Sequence, residues 1–431
     1  MPLTPWLSHY KTDFELARRR RNESIQFDGL RCEAFDRFLL LGFPTTADDG
    51  WRFTDITALA ETNFSLGAKP ASGSRCREVT SLPLRDLAEI ELVFVNGYFM
   101  PDVSTAVGLP NGAMVSPLAP LVESNADELG GCFSTVARVE RLPFVALNTA
   151  LFEDGAAVIV PARTTIEAPV HLRFISNGEA DAKPAMSQPR VLVVVGEESR
   201  ATLIESYTGP DGIGYFTNAV TEVVLGEGAA LDHYKLQRES TAAYHIAATH
   251  VIAARRSNYR AHAIACGSTL VRNETLALLG EGAACALNGM FVAGSHQLVD
   301  TCTLIDHAAP GCISRQRHKG ILGGGARGVF NGRNLVRVEA HGTSARQLTR
   351  ALLLSPHARM DVKPDLEMLT NHATCTQHVG VEQLDDKHPS TRRLMAPAFA
   401  RNALDRVRIP RLRSTVEAIV EQHVERALAT S

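Results

Sequence analysis

The sequence predicts a mainly β fold, a β-solenoid core with a helical region at each end. Three observations carry this. Short β-rich runs recur every ten to fifteen residues or so between about 144 and 370. A turn formula returns, Leu225-Gly-Glu-Gly-Ala229 and Leu279-Gly-Glu-Gly-Ala283, with a looser echo at Gly196-Glu197. Helical periodicity is confined to the two ends. Self-similar strand–turn units with no helix between them are the mark of coils that bury their faces on one another. A β-sandwich has a similar strand density, and the pattern alone favours the solenoid only slightly.

In chain order, Phe14, Leu16 and Ala17, then Phe35, Phe38 and Leu39, recur at helical spacing, and Gly42-Phe43-Pro44 stops the second helix. The basic run Arg18 to Arg21 reads as a solvated helix face, since nothing aromatic or glycine-rich accompanies it. Asn96-Gly97 between Leu92-Val-Phe-Val95 and Tyr98-Phe-Met100 is a hairpin signal, because Asn-Gly accepts the positive φ angles of a tight turn. The β-rich runs then fall at 158–160, 170–174, 191–195, 202–205, 219–225, 245–253, 269–278, 286–291, 301–305 and 329–338. Apolar and polar residues alternate in many of them, as strands with one buried face require. In the tail, Pro410 precedes a capping-box pattern, Ser414-x-x-Glu417, and a stripe of Val416, Ile419, Val420, Val424, Ala427 and Leu428. Such a stripe covers either the chain's own core or a partner groove. The domains expected are 1–143 (helical with a hairpin), 144–370 (β core) and 371–431 (helical, partner-binding).

Composition narrows the function classes. Of 431 residues, 45% are hydrophobic and 21% charged, which excludes global disorder. A net charge of -3 provides no broad basic field for nucleic acid or anionic lipid. No apolar run approaches the roughly 18–20 residues of a membrane helix. The start MPLTPWLSHYKTDF has no charged-then-apolar leader pattern, so the cytoplasm is the expected compartment. Cysteines stand at 32, 76, 132, 266, 285, 302, 312 and 375 without a CxxC pair, which fits free thiols, most of them small buried hydrophobes.

One stretch carries a family likeness. Gly328-Val-Phe-Asn-Gly332, Val336, Ala340, Thr343, Ala345, Gln347, Leu352-Leu-Leu-Ser355, Ala358, Lys363-Pro364 and Leu366-Glu367 resemble the SufB/SufD core signature. Upstream, Gly42-Phe-Pro-Thr45 and Trp51-Arg-Phe-Thr-Asp55 are similar to the N-terminal region of the SufD branch, and Phe144, Leu147-Asn148, Asp154-Gly155 and Glu167-x-Pro169 also fit. The resemblance runs from about 30 to about 385. It implies a right-handed parallel β-helix and a scaffold role in assembling iron–sulfur clusters. A SufB-like subunit would pair with the chain, a SufC-like ATPase would dock on the helical C-terminal ends, and a delivery protein would bring sulfur as persulfide. Two features depart from the family. Cys375-Thr-Gln-His378 replaces a Cys-x-His spacing, so that Gln377 takes the family histidine's place, and the segment after Gln383-Leu-Asp385 is short.

Thiolates and imidazoles hold iron–sulfur clusters and borderline metals. His372, Cys375 and His378 are the densest such group, and the resemblance at Cys375 supports a cluster or iron ligand role for Cys375 and His378 with His372 beside them. The two converge only if the backbone at 375–378 is irregular, since three residues along a regular strand reverse the face. The partner-binding candidates are Val416, Ile419, Val420, Val424 and Leu428. Gly323-Gly-Gly-Ala-Arg-Gly328 lacks the Lys-Ser/Thr ending of a phosphate loop and reads as a solenoid turn. Glu205, His233, Lys235, His245 and His250 lie in strands, where those pointing inward need partners and would form a polar channel. No catalytic motif is present, in keeping with a non-enzymatic scaffold. The rivals are a carbohydrate-active β-helix enzyme, which requires acid clusters on one solenoid face, and a self-polymerising structural solenoid.

Overall fold

The computed structural model describes residues 5–429 apart from 22, 71–86, 125–128, 130, 178–182 and 385–388. Its centre is a β-solenoid of about 7 turns over residues 170–383. Alternate strands feed two eleven-stranded sheets that face each other across the interior. Successive partners in the second sheet are Ala230, Asn258, Ala284, Ile313, Ser344 and Thr374, so a coil takes 28, 26, 29, 31 and 30 residues in turn. Register is parallel and residue-for-residue throughout this run, so every inward side chain stacks on the inward side chain of the next coil.

The turns explain the repeated glycines. At one corner each coil holds a residue at positive φ: Glu198, Gly228, Arg256, Gly282, Gly311 and Gly342. Its N–H donates to the carbonyl of the turn above, as in Gly228 to Arg255, Gly282 to Pro310 and Gly342 to His372. Glycine is favoured there because it enters the left-handed region without a Cβ penalty. The second glycine of the Leu-Gly-Glu-Gly-Ala formula fills that place both times. The Gly323–Gly328 segment is likewise a turn, with Gly324 at φ 56°, joining the strands Ile313–Leu322 and Arg327–Val336.

Helices cover the outer face of each sheet. Pro5–Arg20, Ile25–Leu41 and Pro143–Leu151 form an aromatic-rich layer in which Phe35, Phe38, Phe43, Trp51 and Phe144 reach Phe216, Ile246 and Leu270 of the first sheet. Gly42, at φ 66°, ends the second helix with its N–H on the Phe38 carbonyl. Arg21 and Arg31 close the end of Pro143–Leu151 by donating to the carbonyls of Ala150 and Phe152, so Arg21, the last of the basic run Arg18 to Arg21, is structural and not part of a solvated face. The helices Pro389–Leu404 and Pro410–Ala429 lie on the second sheet, where Leu404, Leu412, Val416, Val420 and Val424 pack against Leu236, Ile264, Met290, Ile321 and Leu352.

Several expectations are met. The Asn96-Gly97 turn has φ 52° and 84° and joins Ile90–Val95 to Tyr98–Phe99. Others need correction. The strands Ala230–Glu239, Asn258–Gly267, Ile313–Leu322, Ser344–Leu353, Arg359–Met368 and Thr374–Gln383 were absent from the pattern reading. The last of them lies beyond residue 370, and the helices that follow begin at Pro389 rather than at 371. Ser414 is no N-cap: Pro410 opens the helix, as a residue without an N–H suits its first turn, and the Ser414 hydroxyl bonds the Arg411 carbonyl inside it. Cys76 and the segment 385–388 lie outside the described residues.

Candidate functional site

Period-two alternation turns a column of polar residues into the solenoid. Glu205, His233, Lys235, Gln237 and Glu239 point inward from the second sheet, opposite Thr217, Thr221 and His245 of the first. Glu205 accepts from Tyr207 at 2.6 Å, Thr221 at 3.0 Å and lies 3.0 Å from His233 Nε2. Glu239 lies 2.8 Å from His245 Nδ1 and accepts from Thr217 at 2.7 Å. Lys235 donates to Asn273 at 2.8 Å. His250 faces the outer side of its strand, near Val136, and does not join the group.

Burial alone pushes the Glu205 carboxyl up, but His233 by charge and hydrogen bond, with Lys235 and Tyr207, outweighs it and holds the pKa at about 2. Burial lowers the Lys235 ammonium to about 8 against the pull of Glu205 and Glu239. A carboxylate whose folded pKa lies below its ordinary 4.5 stabilises the fold fully above that value and loses the contribution as pH falls toward about 2. The shift is worth about 3 kcal/mol. Acid unfolding followed by circular dichroism should therefore be steeper between pH 4.5 and 2 for the wild type than for Glu205→Gln.

Above this group the column narrows into a cavity of about 40 Å³ lined by Ala261, Ala263, Asn273, Thr301, Thr303 and His318. A Cβ on Gly289 would lie 2.5 Å from His318 Nδ1, so the glycine makes room for that ring. Burial drops the His318 imidazole to about 3, which keeps it neutral. Farther along, Gln316, Asn334 and Gln347 bond one another at 3.0–3.3 Å. Polar interior residues thus continue, coil by coil, from Glu205 to the final strand.

That final strand, Thr374–Gln383, pairs regularly with Ser344–Leu353, Ala345 opposite Cys375, Gln347 opposite Gln377 and Leu348 opposite His378. Cys375 and Gln377 share the inward face with Ala345 and Gln347, and His378 points outward. The irregular backbone needed to unite Cys375 with His378 is not there. His372 sits in the corner turn, its ring 5.4 Å from His341 and its carbonyl taking the Gly342 N–H. The three donors therefore do not converge, and among the described residues no group of three or more His, Cys, Asp or Glu is placed to hold a metal ion. Burial pushes the Cys375 thiol up, offset in part by the Ala345 backbone, so no imidazole makes a thiolate of it here. The outward His378 follows from the extra residue in Cys375-Thr-Gln-His378.

The terminal coil differs from the rest. The strands Arg359–Met368 and Thr374–Gln383 end the two sheets, and neither has a further neighbour among the described residues. Their inward-pointing Leu366, Met368, Val379 and Val381 are 37%, 40%, 49% and 43% exposed. At the opposite end the short strands Met114–Pro117, Tyr98–Phe99 and Thr105–Ala106 run antiparallel and close the stack. The stripe of the last helix is not open in the same way. Val416, Val420 and Val424 are buried, and Ile419 and Leu428 pack against the same cluster on the chain's own second sheet. A stripe read from sequence records apolar area without saying what covers it.

Residues 174–388 match the SufBD core domain of the SUF system for FeS cluster assembly, and residues 6–172 match the SufBD protein N-terminal region. The chain belongs to the SufBD family. A SufBD family protein of a Synechocystis strain is 30% identical to this SufBD protein over 410 residues, 90% of this chain and 89% of that one. The iron–sulfur cluster assembly protein SufD of Escherichia coli is 26% identical over 377 residues (87% and 84%), and the chloroplast protein ABCI7 of Arabidopsis is 27% identical over 373 (85% and 77%). Among the described residues of this SufBD chain, no helix is long and apolar enough to cross a membrane.

Family motifs outside the solenoid now have a physical role. In the Trp51-Arg-Phe-Thr-Asp55 motif, the Arg272 guanidinium lies 3.8 Å from the Trp51 ring, and Thr54 donates to Asp300 at 2.6 Å. Arg272 also pairs with Asp300 and Glu274. Glu222, buried and paired with Arg190, accepts the N–H groups of Ser134, Val136 and Ala137 and fixes that loop on the first sheet. Pattern reading missed these pairs, because outward charges on a strand look solvated until a second layer covers them.

Proposed function

We propose that this chain is a non-catalytic, cytoplasmic scaffold subunit. It assembles iron–sulfur clusters as one half of a paired β-stack, with a SufB-like subunit on its open terminal coil and a SufC-like ATPase on its helical C-terminal region. The observation that supports the pairing is the asymmetry of the two ends. One is closed by antiparallel strands, and the other presents two edges, unpaired among the described residues, with exposed apolar inward residues. Open edges accept strands from another chain. One closed end limits the stack to two chains end to end and disfavours a filament. The acids facing outward on the first sheet pair with arginines, Asp361 with Arg327 and Asp306 with Arg337, unlike the free acid pair a glycosidase needs. The ATPase would meet the outer surface of the C-terminal helices, where Leu394 is 73% exposed, because the inner stripe is occupied.

In this reading Cys375 faces the partner's terminal coil, and the cluster or its sulfur, delivered as persulfide, forms between the two chains with Cys375 as this chain's donor. Gln377 lies beside it on the same face. The test is affinity purification from the native host, followed by cluster assembly with the recovered subunits. Co-purification of a second SufBD chain and a P-loop ATPase is expected, and recovery as a lone monomer at moderate salt counts against the reading. With the reconstituted complex, Cys375→Ser should reduce cluster formation at least about tenfold while His378→Ala leaves it within about twofold, a difference of roughly 1 kcal/mol or more. Full activity of Cys375→Ser puts the ligands on the partner alone.

A further inference from the structure

The outer faces of the two sheets handle charge differently near the open end. On the first sheet Arg327 pairs with Asp361 at 2.7 Å, Arg333 with Asp365 at 3.6 Å and with Glu367, and Arg337 with Asp306 at 2.7 Å, while Arg359 on the terminal strand has no such pair among the described residues. On the second sheet the outward residues of Ile313–Leu322 and Ser344–Leu353 include Arg315, Arg317, Lys319, Arg346 and Arg350. Arg350 pairs with Glu382, and Lys319 donates to Asn402. Arg315 bonds only the Ser314 and Ser344 oxygens, and Arg406 follows the helix Pro389–Leu404 on the same side. Among the described residues Arg315, Arg317, Arg346 and Arg406 have no carboxylate within ion-pair distance. Asp405, next to Arg406 in the chain, is taken by Arg413 at 2.6 Å.

These cations stand together. Arg315 lies directly across from Arg346 in the register, and Arg317 is two residues along the same face. Burial first and then the Arg346 charge lower the affinity of Arg315 for a proton, and burial and then Arg406 do so for Arg317. In a chain with net charge -3, three unpaired arginines on one sheet face with a fourth, Arg406, beside them stand out. Their place matters too. Arg346 lies one strand from the open edge and Arg315 and Arg317 two, about 5 and 10 Å back at ordinary strand spacing.

We propose that Arg315, Arg317, Arg346 and Arg406 dock an acidic protein face on the chain that pairs with the open edge, and that they disfavour a second copy of this chain there. The proposal rests on the edge pairing described above and adds the chemistry of the partner. Carboxylates fit better than a phosphate polymer. The patch is a short flat lattice without a glycine-rich cradle, its strand N–H groups are spent in the ladder, and four charges are few against the field nucleic acid needs. Two copies meeting edge to edge would place two such patches side by side. Opposed charge across an interface selects partners, and like charge rejects them.

The probe is a fluorescent ten-residue oligoglutamate peptide, with single-stranded DNA of equal charge as comparison, read by anisotropy at low salt. Relative to wild type, R315Q/R317Q/R346Q should bind the peptide about tenfold or more weakly, while R327Q/R333Q/R337Q changes it by less than about twofold. Equal losses in both variants, no loss in the first, or tighter binding of the DNA than of the peptide overturns the proposal. In sedimentation equilibrium R315Q/R317Q/R346Q should self-associate more strongly than wild type, and unchanged self-association removes the claim against a second copy. Val379→Asn/Val381→Asn adds no charge and should leave peptide binding unchanged. If that edge variant fails to disturb chain pairing while the arginine results hold, the edge reading fails and the cationic patch stands.

Discussion

Arg272→Met should lower the stability of the whole chain by about 3–5 kcal/mol, the cost of leaving one partner of a buried pair alone. The side chains of Arg272 and Asp300 are each 1% exposed, and without the guanidinium only Thr54 holds the Asp300 carboxylate. Burial already pushes the Asp300 carboxyl up against the pull of Arg272. In the variant it should take up a proton, and the loss should shrink as pH falls. Methionine keeps apolar bulk over the Trp51 ring but removes the cation above it. Because this contact fastens the N-terminal layer to the first sheet, proteolysis of the helices Pro5–Arg20 and Ile25–Leu41 should accelerate before the solenoid melts. Adding Asp300→Asn should recover most of the stability, since a neutral amide does not demand the lost charge. Arg333→Met is the control. Its pairs are nearly half exposed, and exposed pairs contribute between 0 and about 1 kcal/mol. A melting temperature for Arg272→Met as close to wild type as that of the control would show that the buried pair contributes nothing.

The legible strands share a property that explains the missed ones. Residues 245–253, 269–278 and 301–305 turn polar residues inward too, His245, Asn273 and Thr301 among them, but each run keeps apolar inward residues, Val251, Val271 and Ile305, that let it read as a strand. Ala230–Glu239 turns His233, Lys235, Gln237 and Glu239 inward, and Ile313–Leu322 turns in Ser314, Gln316 and His318. Their polar residues are the buried set, so a rule that equates inward with apolar passes over them. The repeated turn was the better guide, because the left-handed corner residue is a backbone requirement independent of what fills the interior. The site divides in the same way. Cys375 was legible as a residue, but its face follows from a register that only the paired strand Ser344–Leu353 supplies. The stripe on Pro410–Ala429 had the right periodicity and the wrong occupant, since amphipathicity measures an apolar area and is silent about which surface meets it.

Val379→Asn/Val381→Asn should abolish pairing with the partner chain while leaving the isolated protein folded. Both valines point to the interior side of the last strand of the second sheet, yet they are 49% and 43% exposed because no further coil covers them. In the free chain, asparagine at such positions stays solvated, and the change in melting temperature should be small. In the complex each amide would be buried by the partner's coil. Loss of the apolar contact and desolvation of the new amide together cost about 2 kcal/mol or more per site. Two sites then weaken association by on the order of a thousandfold, enough to convert a submicromolar complex into separate chains at ordinary concentrations. Sedimentation velocity of the mixed subunits reads the result directly. Leu366→Asn on the other sheet's terminal strand, where the side chain is 37% exposed, should weaken the same complex from the opposite side of the seam. Ile252→Asn, at a side chain of the same exposure on an outer face away from the edge, should not. If the edge pair binds its partner as tightly as wild type, the open coil is not the seam, and the joining surface must lie on the helices or the outer faces instead.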